Sequence, residues 1–286
     1  MRVGDVDVLA LLDATLEYPW PLGELFPQVP AEAWEPYRVR YPDAFGAGDA
    51  WRSCYHCYLL RAGGQTILVD TGMGPAHTPL AQAFGASGRL PERLRDAGLE
   101  PDDIDTVVLT HLHPDHVGGA LRRDGDEVAL AFPRARYLAS EVDWKTFHRP
   151  EVQAHFPFPF VEETITPIQT LGALELVGPE GTGVTDEVRL VPAPGHTPGH
   201  LIIDIASRGE HAILLIDTLL HPAQVTEPDW VAMFDMDPAQ DCRTRRELLD
   251  RLDSEQLPCA ASHFPHPSFG RIGREEDGRR IWIPTS

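Results

Sequence analysis

The sequence predicts a mixed fold in which helices cover β-sheets. Short runs of β-branched and apolar residues recur along the chain, and stretches long enough for helices lie between them. The clearest helix start is Asp237 followed by Pro238, a capping residue with proline in the first helical position. Alternation of this kind favours layers of sheet and helix around an apolar core.

The individual elements follow from the same patterns. We expect helices over 80–97, Glu141–Phe147 and Pro238–Glu255. We expect strands over 6–11, 55–60, 66–69, 106–110, 135–139, 174–177, 188–191, 201–205 and 212–216.

Residues 18–51 differ from the rest of the chain because prolines alternate there with large aromatic residues. We interpret this segment as an irregular arm. It either wraps the protein's own core or forms an aromatic lid or homodimer contact near an active-site mouth. Its aromatic residues are Tyr18, Trp20, Phe26, Trp34, Tyr37, Tyr41, Phe45 and Trp51.

The charge balance argues against a nucleic-acid partner. The 286 residues include 44 acidic and 24 basic side chains, which give a formal net charge of −20. No cluster of lysine and arginine follows the pattern that tracks a phosphate backbone. A nuclease is therefore disfavoured.

The N-terminus and the apolar runs indicate a cytoplasmic protein without a membrane span. Charged residues interrupt positions 1–7, which cannot form the apolar centre of a signal peptide. The longest apolar stretches, such as 212–216, have the length of a strand and not of a transmembrane helix.

Four cysteines without a secretory signal do not indicate a disulfide framework. Cys54 and Cys57 form a C-x-x-C pair, but they lie in a strand-like run where positions three apart point to opposite faces. We predict a buried strand there, in preference to a redox or zinc motif.

One short segment concentrates potential metal ligands. The apolar run 107–110 leads directly into His111, His113, Asp115 and His116, with Pro114 among them. Proline cannot continue a strand ladder, so these side chains are expected on a loop at the strand's end. Imidazole and carboxylate ligands together suit zinc, iron, manganese or cobalt.

Three more candidate ligands also follow apolar runs. His196 lies in a turn with two prolines and two glycines, Asp217 ends the run 212–216, and His263 follows the small residues 259–262. Side chains at the ends of strands can meet at a common edge of a sheet.

The combined pattern resembles the metallo-β-lactamase-fold hydrolases, which carry H-x-H-x-D-H and then a distant His, Asp and His. The later residues follow His116 at successive intervals of 80, 21 and 46 residues, and the stretches 70–74 and 103–106 are similar as well. The similarity runs from about residue 59 to 263. It implies an α+β fold, a four-layer αββα sandwich formed by one domain over residues 1–286, with metals at one edge of the sheets.

Within that family the chain looks most like the methyl parathion hydrolase and quorum-quenching lactonase branch. The resemblance implies two divalent metal ions, zinc first, with manganese, cobalt and iron as alternatives. It implies that His111, His113 and His196 hold one metal, that Asp115, His116 and His263 hold the other, and that Asp217 bridges them.

The implied activity is hydrolysis of an ester, lactone or phosphotriester bond in a small-molecule substrate. A hydroxide bridging the metals is the expected nucleophile, and Asp115 is expected to help protonate the leaving group. Acyl-homoserine lactonases usually have a tyrosine three positions after the bridging aspartate, whereas this sequence has Leu220. That difference weakens the expectation for this one substrate.

Several neighbouring residues are candidates for supporting roles. Asp70, Thr110 and His200 are expected to orient the ligands by hydrogen bonds, although His200 also fits a structural histidine at a strand start. His221 and His266 either contact substrate at the pocket rim or belong to a proline-rich loop scaffold.

Two other functional classes remain as alternatives. One is a persulfide dioxygenase-like oxidoreductase with a single iron, which metal analysis would distinguish. The other is a non-catalytic, signal-binding relative, which the complete set of seven ligands disfavours. A serine hydrolase is not supported, because the sequence has no G-x-S-x-G motif.

Overall fold

The computed structural model describes residues 1–125, 127–155 and 160–285. In chain order, the strands β1 to β16 are Arg2–Val3, Val6–Glu17, Arg52–Ala62, Gln65–Val69, Thr106–Leu109, Leu121–Asp124, Glu127–Leu130, Arg136–Ser140, Leu174–Val177, Thr182–Gly183, Val188–Pro192, Leu201–Ser207, Glu210–Ile216, Pro258–Ala261, Phe269–Arg274 and Arg280–Pro284. The α-helices α1 to α9 are Leu22–Leu25, Glu35–Arg40, Pro79–Phe84, Leu90–Asp96, Pro114–Val117, Glu141–Phe147, Pro150–Gln153, Thr166–Thr170 and Pro238–Glu255. Short 3₁₀ turns cover Ala31–Trp34, Pro42–Ala44, Ala47–Asp49, Pro101–Asp103 and Pro222–Val225, and a π-helical turn covers Val161–Ile165.

Two seven-stranded sheets form the centre of the fold. The first has the order β1-β2-β3-β4-β5-β8-β9, and the second runs from β10 to β16 in sequence order. Strands β4, β5, β8 and β9 are parallel, as are β13 and β14, while the other neighbours within the two sheets are antiparallel. Strands β6 and β7 form a separate hairpin.

Three apolar clusters separate the layers. The inner cluster joins side chains of the two sheets, including Val69 and Val108 from the first and Leu214 and Ala260 from the second. A second cluster lies between the first sheet and residues of α4, α6 and α8. A third packs α9 and residues 18–51 against the second sheet. This αββα arrangement of an α+β chain confirms the predicted fold class.

Most predicted elements are confirmed, with one clear error among the helices. Helices Glu141–Phe147 and Pro238–Glu255 have the predicted bounds, and every predicted strand overlaps an observed one. The single helix predicted over 80–97 is wrong. Helix α3 ends at Phe84 and is capped by Gly85, whose φ of 62° is left-handed, and a separate helix α4 starts at Leu90 with Pro91 in its first turn.

Residues 18–51 wrap the protein's own core. They contain short helical turns, so the prediction of a wholly irregular arm is wrong. Phe26, Trp34 and Trp51 are fully buried and pack with the second sheet and α9. The core-wrapping alternative is therefore the correct one for these rings, while Trp20 is 38% exposed.

The buried strand predicted around the cysteine pair is confirmed. Cys54 and Cys57 are buried within β3, and neither belongs to a group of potential metal ligands in the described ranges. Among those residues, no helix combines the length and the apolar character needed to cross a membrane.

Asp13 fixes the turn that follows β4. It lies at a bulge of β2, is almost fully buried, and accepts hydrogen bonds from the backbone N–H groups of Met73 at 2.9 Å and Leu90 at 2.7 Å. Gly72 lies against this carboxyl group, where an added Cβ would come within 2.2 Å of Asp13 Oδ2. Burial raises the pKa of Asp13 to about 6.

We expect Asp13→Asn to lower the free energy of unfolding by about 2 kcal/mol, because one buried backbone N–H then faces an amide donor. Urea denaturation at pH 8 measures the change. Asp7→Asn is the matched control on the same strand, since Asp7 is exposed beside Arg2, and it should shift stability by less than about 0.5 kcal/mol. Equal effects of the two substitutions would contradict this role of Asp13.

Candidate metal centre

The segment 111–116 leaves the first sheet as predicted. Strand β5 ends at Leu109, and Pro114 begins the one-turn helix α5. His113 has an extended backbone, whereas Asp115 and His116 lie in the helical turn. The change of conformation at Pro114 lets the four side chains approach a common point from different directions.

The second sheet contributes two ligand candidates at one edge. Strands β13 and β14 are parallel, so their C-terminal ends, followed by Asp217 and His263, lie side by side. Ile216 has a φ of 54°, which is strained for a β-branched residue and marks the abrupt turn that precedes Asp217.

His196 is held by a turn that needs glycine. Gly195 has a φ of 146°, and an added Cβ would approach the Cα of Asp241 to 2.3 Å. The buried carboxylate of Asp143 accepts hydrogen bonds from Thr197 Oγ1 at 2.7 Å and from the N–H of Gly199 at 2.6 Å. The turn is thus fixed on both sides of the imidazole.

All seven predicted ligands meet in two adjacent groups. In each group the potential ligand atoms lie within 4.8 Å of one another. One group consists of His111, His113 and His196, and the other of Asp115, His116, Asp217 and His263.

Asp217 connects the two groups. Its Oδ2 lies 3.0 Å from His263 Nε2 and 3.2 Å from His116 Nε2, which belong to its own group. The same oxygen lies 3.4 Å from His196 Nε2 and 3.8 Å from His111 Nε2 in the other group. This central position is the one expected for a bridging carboxylate.

The donor set fits divalent cations. His111 Nε2, His116 Nε2 and Asp217 Oδ1 are buried and have no hydrogen-bond partner within the part of the chain that the structure describes. Buried polar atoms without partners are costly, and a cation coordinated by them would remove that cost. Nitrogen and carboxylate oxygen are the ligands that zinc and its neighbours accept.

Burial and neighbouring charges set the protonation states of the histidines, and two of them are kept neutral. Burial and the neighbouring His116 hold the pKa of His111 well below its usual value, and burial and His196 lower the pKa of His113 to about 3. Neutral imidazoles keep a lone pair for coordination. Burial also opposes charge on His116, but Asp217, Asp115 and Asp70 outweigh it and raise its pKa, so this position favours positive charge.

Hydrogen bonds to the Nδ1 atoms, on the side away from the centre, orient the histidines. As predicted, Asp70 and Thr110 take part: His116 Nδ1 donates to Asp70 Oδ2 at 2.8 Å, and Thr110 Oγ1 lies 3.2 Å from His111 Nδ1. Thr110 also donates its backbone N–H to Asp70 at 2.9 Å. These contacts leave the Nε2 atoms facing the centre.

Sequence reasoning missed two residues that make such hydrogen bonds. His196 Nδ1 donates to Asp235 Oδ1 at 2.9 Å, and His263 Nδ1 lies 3.0 Å from Ser53 Oγ and 2.9 Å from the carbonyl of Cys54. Asp235 and Ser53 belong to no motif and lie 39 and 210 residues from their partners, so no local pattern could have identified them.

The other three histidines considered from the sequence lie outside the two groups of potential ligands. His200 is buried, and its Nε2 accepts from the N–H of Asp217 at 3.3 Å, so it supports the backbone and orients none of the imidazoles. His221 is fully buried against Trp34 and Phe45, which excludes the rim position considered for it. His266 is exposed and its Nδ1 lies 3.1 Å from His56 Nε2.

Comparison with known proteins agrees with this architecture. The model of the metallo-beta-lactamase superfamily matches residues 55–260. The chain belongs to this superfamily, as the ligand pattern indicated.

Similar curated proteins include lactonases. The N-acyl homoserine lactonase AiiB of Agrobacterium fabrum is 32% identical over 186 residues, which cover 58% of this chain and 63% of that protein. The N-acyl homoserine lactonase of Bacillus thuringiensis is 28% identical over 173 residues, covering 56% and 61%. The matched segment therefore spans less than two thirds of these relatives.

Several solved structures resemble the whole chain. The hydrolase AbOPH of the beta-lactamase superfamily has a TM-score of 0.84 at 25% identity. The match covers 100% of this chain and 96% of the AbOPH chain. AidC, a dizinc quorum-quenching lactonase crystallised with the product N-hexanoyl-L-homoserine, has a TM-score of 0.80 with the same identity and coverage.

We expect Asp235→Asn to weaken zinc binding at the group that contains His196 by about 10- to 100-fold, because His196 loses the carboxylate that orients it. Calorimetric titration of the metal-free protein with zinc measures the change. Asp237→Asn is the control, since Asp237 caps α9 through Gln240 and asparagine can also cap a helix. Identical zinc binding by both variants would argue against a role of Asp235 at the site.

Proposed function

We propose that this protein is a metal-dependent hydrolase of small-molecule esters, with lactones as the first substrate class to test. The observation that carries the proposal is the meeting of seven donors in two adjacent groups, with Asp217 between the groups. Superfamily membership and the names of the similar proteins, N-acyl homoserine lactonase and quorum-quenching lactonase, support it.

We also propose that the site holds two divalent cations, with zinc first and manganese, cobalt or iron as alternatives. The three-histidine group would hold one ion and the Asp115, His116 and His263 group the other, with Asp217 between them. Such ions, when bound, supply a nucleophile at neutral pH because they lower the pKa of water. Two donor groups favour this arrangement over the single iron of a persulfide dioxygenase-like enzyme.

Asp217 and Asp115 have different roles in the proposed reaction. Asp217 is buried and carries the negative charge that holds both groups together. Asp115 is the more accessible carboxylate, with its side chain 20% exposed, and its Oδ2 lies 3.4 Å from His116 Nε2. In the proposed reaction Asp115 accepts the proton of the attacking water and donates it to the leaving alkoxide.

The environment of Leu220 bears on the choice of substrate. Leu220 is buried in the apolar cluster of the second sheet, and its backbone N–H donates to Gln224 Oε1 at 2.7 Å. It offers no hydroxyl group to a bound carbonyl. Aryl esters and phosphotriesters therefore belong in the substrate panel beside acyl-homoserine lactones.

Two further expectations are proposals of the same kind. The first is a cytoplasmic location. The second is a homodimer formed through the exposed part of residues 18–51, where Trp20 and Val39 are the accessible apolar side chains.

A panel of lactones, aryl esters and phosphotriesters tests the proposal with zinc-, manganese- and cobalt-loaded protein. We expect Asp217→Asn to lower kcat/KM on the best substrate by about 1000-fold or more, equivalent to roughly 4 kcal/mol of lost transition-state stabilisation. Asp204→Asn is the matched control, because Asp204 lies on β12, pairs with Arg251 of α9 and belongs to neither group of potential ligands. Its kcat/KM should equal that of the wild type.

Circular dichroism and metal analysis accompany these kinetics, since they separate loss of chemistry from loss of fold. Full turnover by Asp217→Asn with both metals bound would contradict the proposed role of Asp217. Absence of turnover by the wild type on every class, with two metals bound, would instead favour a signal-binding protein.

A further inference from the structure

Two tyrosine hydroxyl groups meet beside the metal centre. Tyr18 follows the end of β2, Tyr55 lies on β3, and their Oη atoms are 2.8 Å apart. Both side chains belong to the apolar cluster of the second sheet, where Tyr18 is 8% exposed and Tyr55 less. Two buried hydroxyl groups in an aromatic environment are held in place by this bond.

The pair lies on the side of the centre formed by Asp115, His116, Asp217 and His263. The ring of Tyr55 packs edge-on against the imidazole of His263, with the centroids 4.8 Å apart. Trp51 stacks on Tyr18 at 4.9 Å and also contacts His263, at 6.5 Å. Burial raises the pKa of Tyr18, and the negative charge of Asp115 raises it further, as expected for a neutral hydroxyl close to that carboxylate.

An aromatic wall leads from the solvent to Tyr18. The Tyr18 ring lies 6.1 Å from Trp20, 5.9 Å from Phe84 and 5.8 Å from Phe234. Trp20 is partly exposed, and Phe84 and Phe234 are only partly buried. Tyr18 therefore lies between an apolar surface reachable from solvent and the buried metal ligands.

The number of protons in the pair leaves one donor available. A tyrosine hydroxyl carries one proton, and the bond between two hydroxyl groups uses only one of their two protons. Among residues 1–125, 127–155 and 160–285, Tyr55 is the hydrogen-bond partner of the Tyr18 hydroxyl. If Tyr55 donates to Tyr18, the proton of Tyr18 remains free for a third group.

We propose that Tyr18 is a catalytic residue of this site, and that its hydroxyl, held by Tyr55, donates a hydrogen bond to the substrate carbonyl oxygen as negative charge develops there. Tyr55 is a positioning residue in this scheme, because it acts through Tyr18. The inference rests on the proposed hydrolytic function. No bond is made or broken by either tyrosine, so both hydroxyl groups keep their protons throughout.

The test compares a lactone with its thiono analogue, in which sulfur replaces the carbonyl oxygen and accepts hydrogen bonds only weakly. We expect Tyr18→Phe to lower kcat on the lactone by about 100-fold, with much less effect on KM and on the thiono analogue. Tyr55→Phe should lower kcat on the lactone by about tenfold, again sparing the thiono analogue.

Tyr37→Phe is the matched control within residues 18–51. Its hydroxyl donates to Glu227 at 2.6 Å, and neither residue belongs to a group of potential metal ligands, so its loss should leave kcat on both substrates unchanged. Metal content and Tm are measured for all variants. If Tyr18→Phe fails to fold or to bind metal, the lactone-to-thiono rate ratio of Tyr55→Phe decides.

Wild-type kcat of Tyr18→Phe on the lactone, or an equal fall on both substrates, would overturn the catalytic role and leave the hydrolytic function standing. If Tyr18→Phe does not fold or bind metal, an unchanged lactone-to-thiono rate ratio in Tyr55→Phe overturns the catalytic role of Tyr18. A wild-type protein that hydrolyses neither substrate would instead defeat the proposed function and the role of Tyr18 with it.

Discussion

A buried carboxylate surrounded by imidazoles is the constraint on which the rest of the structure depends. Asp217 Oδ2 lies within 3.0 to 3.8 Å of four histidine nitrogens, although each of these groups is nearly inaccessible to solvent. Such a concentration of polar groups is costly unless charge is balanced and lone pairs are used. The turns around 70–74, 195–199 and 216–217 and the carboxylates behind the histidines all serve to hold this arrangement. The two cations that we propose for this site would balance the charge and use the free lone pairs.

The layered fold could be predicted because its main elements have local signals. Val6–Glu17 is rich in valine and leucine, Arg52–Ala62 contains a run of apolar and aromatic residues, and Pro238–Glu255 has a capping aspartate and an early proline. The error over 80–97 has an equally local cause, since Gly85 adopts a left-handed conformation that ends the helix. The short helices of 18–51 could not be predicted, because they are stabilised by the burial of Trp34 and Phe26 against distant strands.

The candidate site was predictable only where its members share a motif or follow a strand. His111, His113, Asp115 and His116 are close in sequence, and the positions of Asp217 and His263 at the ends of parallel strands explain how they join them. Asp235 and Ser53 contact the ligand histidines from segments without any such pattern. Their contacts depend on how loops pack across the sheet edge, which a single sequence does not specify. His221 was ambiguous for the same reason, and its ring is buried among aromatic residues.

Anomalous diffraction at the zinc edge, from a crystal of the zinc-loaded protein, tests the central claim most directly. Two peaks about 3.5 to 4 Å apart, one beside the three-histidine group and one beside Asp115, His116 and His263 with Asp217 between them, are the expected result. A single peak despite excess zinc, or two peaks with Asp217 turned away from both, would contradict the account.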